Sequence, residues 1–353
     1  MNAILTDIMA VIGVVLNGLP QGLLALSLGF ASIPTAMAFF VGAVGNAVTQ
    51  NVAPISFQAE TITYAGTSGK NRSERCTMIF IGGVIMAIVG LTGTLTRIVD
   101  FIGVDIASGM MAGVGLILAK TAVDMIRSDR LSGFVSLVSA LITYYIFRSS
   151  SNVLVYTILV SVVASCVASA IFQKGERKTI KVEDDNFKRQ PFTFNTNVII
   201  GALGMACLNI GSNISFGSIT SSMAPGAHYN VDQLTFISSL ADMCSSFFGG
   251  APVESIISAT AAAPHAVIAG IAMMVVIGVI LLTGLLPKIG RYVPSSSIAG
   301  FLFVLGVFKT VCLDAPTALA TAPAVGGLTM AVTAISNPFF GMLAGIAARL
   351  LGL

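Results

Sequence analysis

The stretch FFGGAPVESIISATAAAP, Phe247 to Pro264, decides how the chain is read, because it sets one carboxylate, Glu254, among small and apolar residues. Only 9% of the 353 residues are charged, so Glu254 is either the solvated end of a helix or a group facing a polar cavity. Ala251-Pro252 ends any preceding helix and leaves extended backbone before the next helical turn. The same dipeptide stands at Ala53-Pro54, and Glu60 and Ser258 follow the two prolines at equal spacing. On a helix, Glu254 falls one turn before Ser258 on the same face. Two such half-helices would aim free N–H groups and positive dipole ends at the electronegative atoms of a ligand.

Working outward, 55% hydrophobic residues and a mean hydropathy of +0.93 leave too little polar surface to coat a soluble globule of this length. The composition implies an integral multi-pass membrane protein, and residence in the cytoplasmic membrane is expected. The start MNAILTDIMAVIGVVL has no Lys or Arg before its apolar run, so it is expected to stay as a first span. Cys76, Cys166, Cys207, Cys244 and Cys312 form no CxxC pair and imply neither a disulfide framework nor a metal site.

Spans are expected near 5–29, 33–50, 54–66 (short), 77–96, 104–126, 130–147 and 152–172. After the polar run 173–193, a second set is expected near 194–216, 233–249, 252–263 (short), 266–286, 295–311, 314–332 and 335–352. Matches recur in order between the sets: Ala53-Pro54 with Ala251-Pro252, Leu91 to Gly93 with Leu282 to Gly284, and Lys120-Thr121 with Lys309-Thr310. The expected fold is therefore all-α, with about fourteen transmembrane segments in two inverted repeats of seven, 1–172 and 194–353. The broken half-helices are segments three and ten, and in such folds they meet at the binding site.

Ionisable side chains inside such a chain are functional candidates. Glu254, Glu60 and Asp242 could each carry a coupling proton, while Asp242 could equally make an interhelical hydrogen bond. Asn209 and Asn213 lie four apart on one helical face; they can donate and accept toward a ligand, or hold helices together. His228 and His265 read as isolated residues of loops or helix ends. GTSGKN at Gly66 to Asn71 is no phosphate loop, so neither enzyme chemistry nor ATP-driven pumping is expected. One side collects Lys70, Arg72, Arg75, Lys120, Arg127, Arg130, Lys174, Arg177, Lys178, Lys181, Lys188, Arg189, Lys288 and Arg291. The other has Arg97, Arg148, Lys309 and Arg349, which under the positive-inside rule puts both termini outside.

GNAVTQNVAPISFQAETITYAG (Gly45 to Gly66), AGVGLILA (Ala112 to Ala119) and GGAPVESIISATAAA resemble the nucleobase and cation symporter family of xanthine and uracil permeases, most closely its purine-permease branch. That resemblance implies core and gate domains, a purine nucleobase as substrate, coupling to H+ or Na+, both termini inside, and no other cofactor. It implies substrate contacts at Gln58, Ala59, Asn209, Asn213, Glu254 and Ser258. Gln58-Ala59 stands where the branch has Asn-Ala, and Ser258 and Asn209 stand where the family has acidic groups. Partners are then the nucleobase and membrane lipid, with no nucleic acid. A homodimer contact is expected on the gate helices near 104–172 and 295–352, where Gly326, Gly327, Gly341 and Gly345 allow close approach, in competition with packing inside the chain. The alternative on the same fold is an anion transporter of the sulfate permease or benzoate transporter kind, which Asp7 to Leu26, with its Leu-Pro-Gln, and Gly249 to Pro252 resemble.

Overall fold

The computed structural model describes residues 3–150, 153–173, 179–180 and 186–353. The first half carries α1 (Ala3–Ser27), α2 (Ser32–Thr49), β1 (Ile55–Ser56), α3 (Ala59–Ser68), α4 (Arg72–Thr92), α5 (Leu95–Ile102), α6 (Val104–Ser128), α7 (Arg130–Ile146) and α8 (Val153–Phe172). The second half carries α9 (Thr196–Ser222), α10 (Val231–Phe247), β2 (Glu254–Ser255), a 3-10 turn (Ala259–Ala262), α11 (Ala266–Leu282) and α12 (Leu285–Gly290). A second 3-10 turn (Ser295–Ile298), α13 (Ala299–Val304), a π-helical turn (Leu305–Val311), α14 (Cys312–Ala320), α15 (Pro323–Ile335) and α16 (Pro338–Leu350) complete it. The protein is a mostly helical, polytopic integral membrane protein. Among the described residues, seven helical stretches are long and apolar enough to cross a bilayer, and four shorter apolar helices accompany them.

Helix starts follow local chemistry. Asn71, Asn195, Asn230 and Asn337 each accept a backbone N–H from the first turn of α4, α9, α10 and α16, and Asp129 does so for α7. Gly93 closes α4 in the left-handed region, at φ 63°. The described helices gather into two compact units, each drawing on both halves of the chain. One comprises Met1–Gly103 with Glu183–Leu285, the other Val104–Val182 with Leu286–Leu353. In the first, α2 and α4 pack on α10, α4 on α9, and α1 and α2 on α11. In the second, α6 packs on α14, α15 and the π turn, and α7 on α8 and α13.

Several expectations are corrected. The short third segment is not one helix: Ile55–Ser56 is strand, and α3 begins only at Ala59 and runs to Ser68. Glu254 and Ser258 do not share a helical face, because Glu254–Ser255 is extended and paired with β1 while Ser258 caps the following 3-10 turn. The expected break near 312–313 is absent. Residues 295–320 run on as one helical stretch, and the chain turns at Thr321-Ala322, where Pro323 requires an extended residue before it. Lys120 and Lys309, counted with the loops, lie inside α6 and the π turn. Leu95–Ile102 and Leu285–Gly290 form short helices that hydropathy did not separate from their neighbours. Gly326, Gly341 and Gly345 are used within the second unit, where an added Cβ would meet Ala318, Thr333 and Thr329. Of the polar run 173–193, residues 174–178 and 181–185, with Lys174, Arg177, Lys178 and Lys181, lie outside the described residues.

Candidate functional site

The site is built in the first unit, where two irregular segments meet. Pro54 and Pro252 deny their neighbours helical backbone, and the residues that follow them pair as an antiparallel ribbon, Ile55 with Ser255 and Ser56 with Glu254. Side chains of flanking helices hold the ribbon by its backbone. Thr35 Oγ1 accepts from Ala251 N at 2.8 Å, Ser245 Oγ donates to Ala251 O at 2.7 Å, and Asp242 Oδ1 accepts from Val253 N at 2.7 Å. Thr220 Oγ1 donates to Ile256 O at 2.7 Å and accepts from Ser258 N at 3.1 Å. Asp242 thereby anchors the ribbon through one carboxylate oxygen.

Glu254 is fully buried, and its Oε2 accepts from Asn209 Nδ2 at 2.7 Å. Asn209 Oδ1 in turn accepts from Asn213 Nδ2 at 2.7 Å, and that amide also faces Thr235 Oγ1 at 3.0 Å and Ser238 Oγ at 3.2 Å. The solvated-end reading of Glu254 therefore fails. The i, i+4 spacing of the two asparagines forms a relay from α10 through α9 to β2.

On and beside the ribbon lie buried polar atoms without a hydrogen-bond partner among the described residues: Ser56 Oγ, both amide atoms of Gln58, Glu254 Oε1 and Ser255 Oγ. Such groups are rare in folded chains, and a cluster of them marks a place that receives water, an ion or a substrate. Gln58 is the residue before α3, Ala59 its first residue, and Glu60 is buried in its first turn. The N–H groups of that turn have no partner inside the helix. Ser258 Oγ lies 2.6 Å from Thr260 Oγ1 and accepts from Thr260 N at 3.3 Å, so it serves the turn it caps. Thus Gln58, Ala59 and Glu254 come together at the ribbon, Asn209 and Asn213 buttress it, and Ser258 and Asp242 hold backbone.

Sequence reading missed Ser56 and Ser255. Their signal was position: each stands a few residues past an Ala-Pro in a segment otherwise apolar. It also missed that His265 is no isolated residue, since its Nδ1 lies 2.7 Å from Asp7 Oδ2 and its backbone N–H donates to Asp7 Oδ1 at 3.1 Å.

No protein-family model matches the sequence, and no curated protein sequence matches it. The fold does match solved structures. The transmembrane domain of a cyanobacterium bicarbonate transporter, BicA, superposes with a TM-score of 0.68 at 14% identity, covering 98% of both chains. Murine Slc26a9, described as an anion transporter in the inward-facing state, matches at 0.70 and 15% identity, and a second SLC26A9 structure at 0.72 and 14%. This chain has the fold of those anion transporters. It is covered almost whole in each case and spans 68% and 65% of the two SLC26A9 chains.

The nucleobase reading, and with it the resemblance to xanthine, uracil and purine permeases, is overturned by these neighbours, one described as a bicarbonate transporter and one as an anion transporter. The geometry supplies the physical reason. The Asn209 and Asn213 amides that were to read a base edge spend their donors on Glu254, Asn209, Thr235 and Ser238. The motifs on which the resemblance rested are short, and their small residues are what close helix packing asks of any such fold.

Proposed function

We propose that this chain is a secondary transporter of a small anion, bound where the β1–β2 ribbon meets the first turn of α3. The observation that carries the reading is the ribbon itself, Ile55–Ser56 on Glu254–Ser255, with unpartnered Ser56, Gln58 and Ser255 groups beside a helix start. Hydroxyl, amide and backbone N–H donors with a helix N-terminus suit a compact anion and need no fixed cation. Glu254 is then the coupling group: an anion beside it is tolerated when the carboxyl carries a proton, so anion and H+ travel together, with Na+ as the alternative counter-charge.

The finer architecture belongs to the same proposal. The chain is read as about fourteen segments in inverted repeats 1–172 and 194–353 joined by 173–193, with half-segments three and ten and the two compact units as core and gate. The ribbon supports this. Aligning Pro54 with Pro252 makes Ser56 equivalent to Glu254, and those two residues pair with each other, as residues on a two-fold axis would. The protein is proposed to reside in the cytoplasmic membrane, to catalyse no chemical reaction, and to dimerise, if at all, through the second unit.

Purified protein in liposomes, given an inward H+ or Na+ gradient, should accumulate labelled sulfate or bicarbonate. Ser255→Ala and Gln58→Leu should each raise KM about three- to tenfold, the worth of one or two hydrogen bonds. Failure to accumulate any small inorganic or carboxylate anion under either gradient refutes the reading.

A further inference from the structure

Only Asp129 separates the end of α6 at Ser128 from the start of α7 at Arg130. The two helices touch just beyond the turn, where a Cβ added at Gly133 would stand 2.6 Å from Ile126 Cα, so only glycine fits there. The same hairpin carries an open groove of about 560 Å³ lined by Ile126, Arg127, Arg130, Leu131 and Phe134. At about 1.5 Å per residue, the 25 residues of α6 span about 37 Å, more than the roughly 30 Å apolar core of a bilayer. Its last turn therefore lies at the membrane surface, and α7 leads back into the apolar layer. Phe134 is 62% exposed, and Val138 and Ile142 continue its exposed stripe at helical spacing, so the deeper end of the groove opens on acyl chains.

Both charged residues of the groove are arginines. Arg130 is exposed and has no hydrogen-bond or ion-pair partner among the described residues. Arg127 reaches Asp124 at 3.4 Å, but the two side chains are 76% and 56% exposed, so solvent screens that pair and a phosphate can replace the carboxylate. The other acid of the hairpin, Asp129, is buried, and its Oδ1 accepts from Gln173 Nε2 at 2.8 Å and from Ser132 N at 3.3 Å. Neither acid lines the groove. A carbon-walled floor with two guanidinium groups at its surface end fits an amphiphile of one kind, an acyl chain joined to a phosphate. A chain lying along the floor brings the phosphate to the level of the arginines, where each can hold it through two N–H donors.

We propose that the α6–α7 hairpin binds an anionic phospholipid, with an acyl chain along Ile126, Leu131 and Phe134 and the phosphate on Arg127 and Arg130. No residue of the ribbon takes part, so the proposal stands apart from the anion-transporter reading. Its test uses the full-length protein in detergent, with phosphatidylglycerol and phosphatidylcholine of the same acyl chains as probes. In native mass spectrometry the parent should retain phosphatidylglycerol about tenfold or more over phosphatidylcholine. Arg127→Gln and Arg130→Gln should each cut that preference about three- to fivefold, and the double variant should retain the two lipids alike at the parent's unfolding midpoint. Equal retention of both lipids by the parent, or an undiminished preference in the double variant, overturns the proposal.

A second arm uses the parent protein alone and needs no variant to fold. In liposomes, phosphatidylglycerol with a diazirine in its acyl chain should label the peptide that contains Ile126 to Phe134, and unlabelled phosphatidylglycerol should suppress the label better than phosphatidylcholine. Labelling confined to other segments, or crosslinks from this hairpin to a second copy of the chain in place of lipid, overturns the proposal. Glycerol phosphate, the headgroup without its chains, should leave the label in place at millimolar concentration; if it removes the label, the site takes a small anion and not a lipid.

Discussion

Removing the Asn209 amide tests whether Glu254 is held by the relay or merely lies beside it. In Asn209→Leu, Glu254 Oε2 loses its 2.7 Å donor while Oε1 already has none, so a fully buried carboxyl keeps no partner. Asn213 loses one acceptor but retains Thr235 and Ser238 at 3.0 and 3.2 Å. The cost therefore concentrates at Glu254, at about 2–4 kcal/mol for an abandoned buried acceptor that can bear charge. Glu254→Gln behaves differently, because its side-chain oxygen can take the place of Oε2 and keep the bond to Asn209. It buries no charge, so it should leave stability within about 1 kcal/mol of the parent or raise it. In the Glu254→Gln background, Asn209→Leu should cost only about 1 kcal/mol, giving a coupling energy of about 1–3 kcal/mol. The chain has no tryptophan, so unfolding in mixed detergent micelles is best followed by a thiol-reactive dye that reports exposure of the buried Cys76 and Cys207. A cycle additive within about 0.5 kcal/mol would refute the reasoning, since two groups that share a short hydrogen bond cannot be independent.

Two further outcomes are expected. Gly115→Val or Gly306→Val drives a side chain into the facing carbonyl, 2.7 or 2.5 Å from the new Cβ, and should cost about 1–3 kcal/mol or more and cut the monodisperse yield in detergent; Gly13→Ala, with nothing within 4 Å, should be neutral or stabilising. Asp7→Asn breaks a pair whose His265 side chain is 54% exposed and screened by solvent, so the unfolding midpoint should stay close to that of the parent, measured in the same dye assay.

How much of this was legible in the sequence depended on whether the deciding interaction was local. A bilayer demands about twenty apolar residues per helix and offers no water to a stray backbone group, so the helical membrane class could be read directly. Pro54 and Pro252 announced the two irregular segments, because a proline constrains its own neighbours wherever it stands. What followed each proline was not legible. Glu254–Ser255 is extended because Ile55–Ser56 lies beside it, and no window along the chain contains both. Likewise a break was expected near 312–313, yet the helix passes through it and through Pro316 and turns only before Pro323. The substrate class failed for a related reason. An asparagine whose amide waits for a ligand and one whose amide is spent on its neighbour have the same letter, and only the 2.7 Å contacts from Asn213 to Asn209 and from Asn209 to Glu254 tell them apart.

The ribbon also suggests where function departs from symmetry. If a two-fold axis passes between Ser56 and Glu254, the fold offers the same position twice, once from each half. The two occupants differ in every chemical respect that matters. Ser56 contributes a small hydroxyl with no partner among the described residues, available to donate to a ligand, whereas Glu254 contributes a carboxyl gripped by Asn209. An anion needs the first kind of group, and coupling to a cation needs the second. A symmetric pair of hydroxyls would bind an anion without coupling, and a symmetric pair of carboxylates would repel it. On this reading the repeat builds the place and the single difference across its axis gives the direction of work, so Glu254→Ser should turn a concentrating transporter into one that only equilibrates its anion. Accumulation against the anion gradient by Glu254→Ser, measured at parental levels, would show that coupling resides elsewhere.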